Sequence, residues 1–530
     1  MKTNKQFIRG FTLIELIVVI TIIGILAAVV LVTYNGITAK TVDSSSTSDA
    51  ENMNAAQQLY RLSNNGTPGK AYYSASGLDT DLNFRPMNGD AVDVVTNSTD
   101  YCVRSYNTMG NKNTIYDAFT KESSIGACDD LPPSTQAVAD SAGTKVWAQI
   151  SASYNDTCAI ASDNQAYCWG LNDAGQLGNN STTDSWIPVP VDTTGVLNGL
   201  TIKSISTGNN HSCVIASNNN AYCWGASWYG GLGNGSTSYS AVPVAVDTTG
   251  VLSGLTIKSI SANGYSTCVI ASDNHAYCWG WNSNGQVGDN STTNRSYPVA
   301  VNTSGALSGL TMKYITAAGA YTVCGIASDN NAYCWGRNTY GELGNNSTSD
   351  SWVPVAVNTS GVLSGKTIKS IAAGEVHTCA IASNNQAYCW GSNWYGELGN
   401  NSSSDSSVPV AVNNVGVLSD KTIKSITNGT FHSCVIASDN QAYCWGADYT
   451  GQLGDNGSST SRVPVAVNTS GVMNGTKVTS IAVADGVHTC VLAYKDSLNM
   501  YCWGSNAYGE LGNNSTTNSP VPVLTQAPSN

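Results

Sequence analysis

Pairs of cysteines recur along this chain at a spacing that suits a covalent clip. Six pairs enclose nine residues each: Cys158 with Cys168, Cys213 with Cys223, Cys268 with Cys278, Cys324 with Cys334, Cys379 with Cys389, and Cys434 with Cys444. A seventh, Cys490 with Cys502, encloses eleven. Two thiolates hold zinc only with two further ligands, and the chain has no Cys-x-x-Cys. Seven disulfides are therefore the expected chemistry, with buried free thiols as the alternative. Positions 158 and 168 are symmetric about Asp163, so a hairpin would bring the two sulfurs together. Such regular pairing points to an oxidising compartment outside the cytoplasm.

Other reactive groups are scattered. His211, His377, His432 and His488 occupy one position of a repeating pattern, where other copies carry Asp156, Ser266 and Thr322. One imidazole per copy does not make a metal cluster, and a repeated side chain-to-backbone bond is the expected role. His275 falls in a turn. Glu342, Glu397 and Glu510 share a position with glutamine in separate copies, so they are not an acid–base pair by sequence. There is no Gly-x-Ser-x-Gly elbow, no His-Glu-x-x-His and no Walker or dinucleotide loop. The expectation is a protein that is not an enzyme and uses no cofactor or metal.

Recognition chemistry is better represented. Trp228, Tyr229, Trp281, Tyr340, Trp394, Tyr395, Tyr449 and Tyr508 lie where the copies differ, in the loop after each Trp-Gly. Tyr and Trp offer large contact area at low entropic cost, so these are the ligand-binding candidates, for sugar or for protein. The alternative is packing between neighbouring units. Trp186, Tyr239, Tyr297 and Trp352 form a second, equally ambiguous set. The chain carries a net charge of −12, and residues 146–530 hold 12 Lys and Arg against 21 Asp and Glu. No basic stripe exists to neutralise phosphates, which argues against nucleic acid as a partner. Asn-x-Ser/Thr triplets at Asn180 and Asn346 would accept glycans outside the cell, but turn chemistry explains them more cheaply.

The elements that position these residues come from a repeat. Tyr-Cys-Trp-Gly occurs seven times, with its tryptophans at Trp169, Trp224, Trp279, Trp335, Trp390, Trp445 and Trp503. The gaps are 55, 55, 56, 55, 55 and 58 residues. Each copy reads as four short strands, as in 201–205, 212–216, 221–225 and a Val-Pro-Val segment, with turn signals between. Seven four-stranded units fit a seven-bladed propeller, whose blades pack on both faces and so carry continuous apolar strands. The motifs Gly-x-x-His-Ser/Thr-Cys, Tyr-Cys-Trp-Gly and Asn-x-x-Gly-Gln/Glu-Leu-Gly resemble the RCC1-type repeat, named for the regulator of chromosome condensation. The resemblance covers about residues 146–523. It implies the propeller; it does not imply guanine-nucleotide exchange, because nothing here matches an exchange wedge.

The N-terminus sets the location. Lys2, Lys5 and Arg9 precede an apolar run from Phe11 to Val32, whose 22 residues would span about 33 Å as a helix. Positive charge before the run predicts a cytoplasmic leader and an external remainder. Glu15 lies inside the run, where a carboxylate is costly unless paired. The string Gly10-Phe11-Thr12-Leu13-Ile14-Glu15 resembles the processing motif of type IV pilins and type II secretion pseudopilins. The resemblance implies cleavage by prepilin peptidase between Gly10 and Phe11, N-methylation of Phe11, and pairing of Glu15 with a Phe11 amine during assembly. It also implies a disulfide between Cys102 and Cys128, like the one bounding many pilin heads.

The expected fold is thus an α+β pilin-like module with a long N-terminal helix, followed by an all-β seven-bladed propeller of RCC1 type. Residues 1–10 would be the leader, 11–34 the transmembrane and assembly helix, and 35–128 the head with the helix continuation. A linker at 129–145, the propeller at 146–524 and a tail at 525–530 complete the chain. The expected location is a single-pass cytoplasmic membrane protein with an external C-terminus, then a cell-surface filament. Its partners would be prepilin peptidase, other pilin subunits, the cytoplasmic membrane before assembly, and a surface protein or glycan. The leading function is a minor pilin displaying the propeller for adhesion or binding. Alternatives are a structural major pilin or secretion pseudopilin, and an extracellular glycan-processing enzyme.

Overall fold

A computed structural model of the chain describes residues 145–528, apart from 319–320 and 484–486, and the backbone of three earlier strands. The leader, the expected helix at 11–34 with Gly10, Phe11 and Glu15, and Cys128 lie outside the described residues. The chain divides into two compact units, 1–134 and 135–530. In the first, Ala91–Thr96, Tyr101–Tyr106 and Thr114–Tyr116 form an antiparallel sheet in that order. Cys102 lies on its middle strand, and the bond expected between Cys102 and Cys128 falls outside the described residues.

The second unit is a ring of seven four-stranded antiparallel sheets, each built from one continuous stretch of chain. Blade one comprises Trp147–Ala152, Asp156–Ala161, Ala166–Gly170 and Ser185–Pro190. Blade seven comprises Lys477–Val483, His488–Tyr494, Leu498–Gly504 and Ser519–Leu524. No strand is exchanged between the first and last blades.

Burial follows position in the blade. The second and third strands of blade one, Asp156–Ala161 and Ala166–Gly170, are buried at every residue. Neighbouring blades cover both their faces, so an unbroken apolar run is what the environment demands. The outer strand instead keeps residues exposed, as in Ser185–Pro190. It carries a proline in every blade, at Pro188, Pro243, Pro298, Pro354, Pro409, Pro464 and Pro522, beside a shift in register. A residue without an N–H belongs at such an edge and blunts pairing with other chains.

The core lies between blades rather than within them. Cys158, Ile160 and Leu177 of blade one cluster with Ile202, Val214 and Trp224 of blade two. The ring closes in the same manner: Trp147, Ile150 and Trp169 of blade one join Leu492, Met500 and Leu511 of blade seven.

The seven cysteine pairs of the propeller are disulfides, as their spacing predicts, and none is left as a buried free thiol. Each joins strands two and three of its own blade. In blades one to three the bonds are Cys158 to Cys168, Cys213 to Cys223, and Cys268 to Cys278. In blades four to six they are Cys324 to Cys334, Cys379 to Cys389, and Cys434 to Cys444. Blade seven joins Cys490 to Cys502. Cys213 and Cys223 are directly opposite in the ladder, with Cα atoms 4.1 Å apart. In blade seven the two additional residues extend the hairpin by one each, so Tyr494 pairs with Leu498 beyond the usual turn.

Alternation of strand direction fixes two faces. Connections from strand one to two and from three to four share one face, here the loop face. The turns from two to three, and the passages to the next blade, share the other. The described chain enters blade one at Lys145 on this opposite face.

Candidate functional site

The loop after strand three is held rigid before it offers anything to a ligand. In five blades an asparagine two residues past the Trp-Gly is fully buried: Asn172, Asn282, Asn338, Asn393 and Asn506. The Asn172 Oδ1 accepts from the Leu177 amide at 3.0 Å, and its Nδ2 donates to the Ser181 and Thr183 carbonyls, both at 3.0 Å. The Gln or Glu four residues later accepts a backbone amide inside the same loop, as Gln176 Oε1 does from Ala174 at 2.9 Å.

That loop also latches each blade to the next. Each repeat tryptophan donates its Nε1 proton to the main-chain carbonyl of this Gln, Glu or Gly in the preceding blade. Trp224 bonds Gln176 at 2.8 Å, Trp390 bonds Glu342 at 2.8 Å and Trp445 bonds Glu397 at 2.7 Å. Gly178 lies against the Trp224 indole at φ +65°, and a Cβ there would fall 2.6 Å from Nε1. A second bond joins the loop to the outer strand ahead, as from the Asn180 amide to the Ala241 carbonyl at 2.9 Å. Asn180 and Asn346 both hold positive φ, 61° and 63°, so they serve as turn residues.

The four histidines belong to these seams. His211 Nε2 lies 2.8 Å from Thr267 Oγ1, His377 Nε2 2.7 Å from Ser433 Oγ, and His432 Nε2 2.9 Å from Thr489 Oγ1. His488 makes the same contact with Thr157 across the closing seam, at 2.9 Å. The expected backbone bond is present for His211, to Gly264, and for His377, to Thr430, and a hydroxyl on the next blade is a second partner; that hydroxyl also reaches the latch carbonyl, as Thr157 does to Glu510 at 3.0 Å. Burial lowers these rings to about 4 for His211 and about 3 for the other three, so they are neutral. Among the described residues, no three His, Cys, Asp or Glu side chains gather to hold a metal.

The aromatic candidates share the loop face, and most are brought together. Tyr229 of blade two stacks on Trp281 of blade three, with centroids 5.5 Å apart and planes at 24°. Tyr340 meets Trp394 edge-on at 5.9 Å, and Tyr395 meets Tyr449 at 5.3 Å. Trp228 reaches Tyr265 at 6.1 Å. Tyr508 is exposed and stands outside this run of ring contacts.

Four members of the arc lie beyond the predicted set. Tyr265, Tyr321 and Phe431 come from the strand one-to-two loop, immediately before the histidine position of their blades. Tyr265 touches Tyr229 at 5.6 Å, Tyr321 touches Trp281 at 5.2 Å and Phe431 touches Tyr395 at 5.4 Å. Arg337 bridges the gap, with its guanidinium 4.0 Å from the Tyr321 ring centre and 6.0 Å from that of Tyr340. It is fixed by Glu342 Oε1 at 3.1 Å and donates to the Glu375 carbonyl at 2.8 Å. The signal was available: Arg337 and Trp281 hold one template position, and the three rings hold another.

The result is an arc of rings across blades two to six. Trp394 is 63% exposed and Trp228 54%, while Trp281, Tyr340 and Tyr395 are half-buried. Burial raises the Tyr265 phenol, and burial followed by the bond to Tyr395 raises that of Tyr449, so both stay neutral donors. Of the second aromatic set, Trp186, Tyr297 and Trp352 lie on outer strands and Tyr239 immediately precedes one. There Trp186 and Trp352 pack against Gly509 and Gly285 of the preceding blade and remain half exposed.

Comparison with known proteins agrees with this architecture. The family model for the "Regulator of chromosome condensation (RCC1) repeat" matches residues 163–215, 273–324, 329–381, 384–436, 439–492 and 499–530. The "Prokaryotic N-terminal methylation motif" matches residues 7–31. The chain is 29% identical to the ultraviolet-B receptor UVR8 of Arabidopsis thaliana over 55% of its own length and 62% of the receptor. It is 25% identical to the E3 ubiquitin-protein ligase HERC2 of Homo sapiens over 70% of its length, which is 7% of that ligase. The chain therefore matches less than two thirds of either relative. The solved structures of human WBSCR16 and of Prp20p from Saccharomyces cerevisiae superpose with TM-scores of 0.57 at 19% identity. They cover 66% and 72% of this chain and 87% of each of those chains, which shows the fold. The methylation motif implies processing by prepilin peptidase, membrane anchoring and assembly into a surface filament. With RCC1 repeats matched over more than half of its length, the chain belongs to the regulator of chromosome condensation (RCC1) repeat family, here joined to a prokaryotic pilin-type N-terminus.

Proposed function

We propose that this protein is a minor pilin-like subunit that displays its propeller for adhesion, gripping an extracellular glycan or protein with the loop face. The aromatic arc carries this reading. Ring contacts recur across blades two to six, with Trp228, Trp394 and Tyr449 more than half exposed, and such aromatic patches mark binding sites. The described chain enters the propeller on the face opposite the arc. Stacking on neutral rings suits the arc, since the cation within it, Arg337, is already engaged by the Glu342 carboxylate and the Glu375 carbonyl. The glutamates weighed as catalytic acids are committed elsewhere. Glu342, Glu397 and Glu510 are buried, and each accepts an amide of its own loop.

The test is a glycan and cell-binding screen of the full-length protein beside the double variant Trp281→Ala with Trp394→Ala. We expect at least a tenfold loss of binding with an unchanged melting temperature. Equal binding by the variant, or no ligand in the screen, would sink the reading. Deleting 146–530 separates roles: lost attachment with intact filaments supports adhesion, whereas lost filaments support a structural subunit.

A further inference from the structure

Blade six breaks the chemistry of the asparagine that organises most other loops. In five blades the buried Asn Nδ2 points at oxygens seven and eleven residues ahead, and in four of them also at one nine ahead. For Asn506 these are Asn513 Oδ1 at 3.3 Å, the Ser515 carbonyl at 2.9 Å and the Thr517 carbonyl at 3.1 Å. In blade two Ser227 takes the position and its hydroxyl donates to the Ser236 carbonyl at 2.8 Å. Six blades thus present a donor to this cradle of acceptors.

Blade six presents a carboxylate, Asp448. Its Oδ1 accepts from the Leu453 amide at 3.0 Å, the bond that Asn506 Oδ1 makes with Leu511 at 2.9 Å. The side chain therefore holds the same pose, and Oδ2 falls where Nδ2 lies elsewhere. Asp448 is 0% exposed, and Oδ2 has no hydrogen-bond partner among the described residues. The residues seven, nine and eleven ahead are Asp455, Gly457 and Ser459. Asp455 faces inward as its counterparts do, with Oδ1 accepting the Gly457 amide at 2.7 Å. Two carboxylates thus occupy a loop where the other blades place a proton donor, and the main chain at Gly457 and Ser459 corresponds to the segments whose carbonyls accept that donor. A buried charged acceptor facing acceptors is costly unless a cation joins them.

We propose that the blade-six loop is a calcium site, with Asp448 and Asp455 supplying carboxylate oxygens and the Gly457 and Ser459 carbonyls completing the protein ligands. Oxygen-only ligands from a short irregular loop suit calcium, which tolerates variable geometry, whereas magnesium demands a near-ideal octahedron and keeps its waters. Two carboxylates place the affinity in the extracellular range, about 10⁻⁴–10⁻³ M.

The experiment uses the full-length chain in detergent, stripped with chelator and titrated with calcium chloride. Heat of binding and thermal unfolding are followed together. We expect one saturable site and a rise in melting temperature of several degrees. Asp448→Asn should fold, since five blades carry asparagine there. It should lose the calcium response and melt, without calcium, near the loaded wild type. Asp455→Asn should weaken binding about tenfold or more. A wild type that ignores calcium overturns the proposal, as does an Asp448→Asn variant that still responds. An equal shift with magnesium overturns the choice of ion. Stabilisation of the wild type by acid, but not by calcium, would show that a proton fills the gap instead.

Discussion

The indole of Trp169, in the first blade, donates its Nε1 proton to the carbonyl of Glu510, in the last, at 2.8 Å. The same carbonyl accepts from Thr157 at 3.0 Å. These bonds close the ring with the groups that join its interior seams, where Trp224 and Ser212 share the Gln176 carbonyl.

Removing that donor tests whether the closing seam is equivalent to the rest. Trp169→Phe should cost about 1–3 kcal/mol through the lost bond and the space left. Trp224→Phe should cost a similar amount. Chemical denaturation measures both, and a far smaller loss at Trp169 would show a weaker final seam.

Reduction should weaken every blade. A disulfide closing so short a loop contributes about 2–3 kcal/mol in the chain-entropy account. The clips are fully buried, so reductant should act only after local opening. We expect slow reduction under native conditions, followed by a marked drop in melting temperature, read by calorimetry with and without reductant.

Acid should loosen the ring through its histidines. Their pKa values fall from 6.5 to about 4 for His211 and about 3 for His377, His432 and His488, because burial disfavours the charged ring. Between pH 6.5 and those values the unfolded chain takes up protons that the folded ring refuses. The stability contributed by neutral imidazole is therefore complete above pH 6.5 and lost as pH falls through that window. Replacing His377 by Gln should flatten the pH dependence of unfolding there, measured by denaturant titration from about pH 7 to 4.

Glu397 acts in the opposite direction. Burial raises its carboxyl from 4.5 to about 7, and its Oε1 has no hydrogen-bond partner among the described residues. The folded state then holds a proton that the unfolded state releases, so this group costs stability as pH rises from 4.5 towards 7. Blades one, three and six place Gln176, Gln286 and Gln452 at this position. Glu397→Gln should raise stability by on the order of 1–3 kcal/mol at about pH 8 and leave it nearly unchanged at about pH 4. Equal gains at both values would contradict the assigned cause.

The ring was legible in the sequence because its signals are local and repeated. Cysteines equidistant from a turn faced each other, and Tyr-Cys-Trp-Gly marked the third strand of every blade. The aromatic candidates were visible as departures from the template. Contacts between blades were not, since they join residues such as Tyr229 and Trp281 through closure of the ring rather than through spacing. The hydroxyl partners of the histidines were missed for that reason. Arg337 was overlooked because a lone charge in an aromatic series looks like drift until Tyr321 is found beneath it. Asp448 reads as a conservative exchange for asparagine until its Oδ2 is found buried without a hydrogen-bond partner among the described residues.

Each blade is one unbroken length of chain that begins and ends on the same face. Cutting the connection between any two blades and joining Lys145 to the segment after Leu524 would therefore preserve all seven sheets. The polypeptide's starting point is an arbitrary choice for the ring, and seven circular orders describe one object.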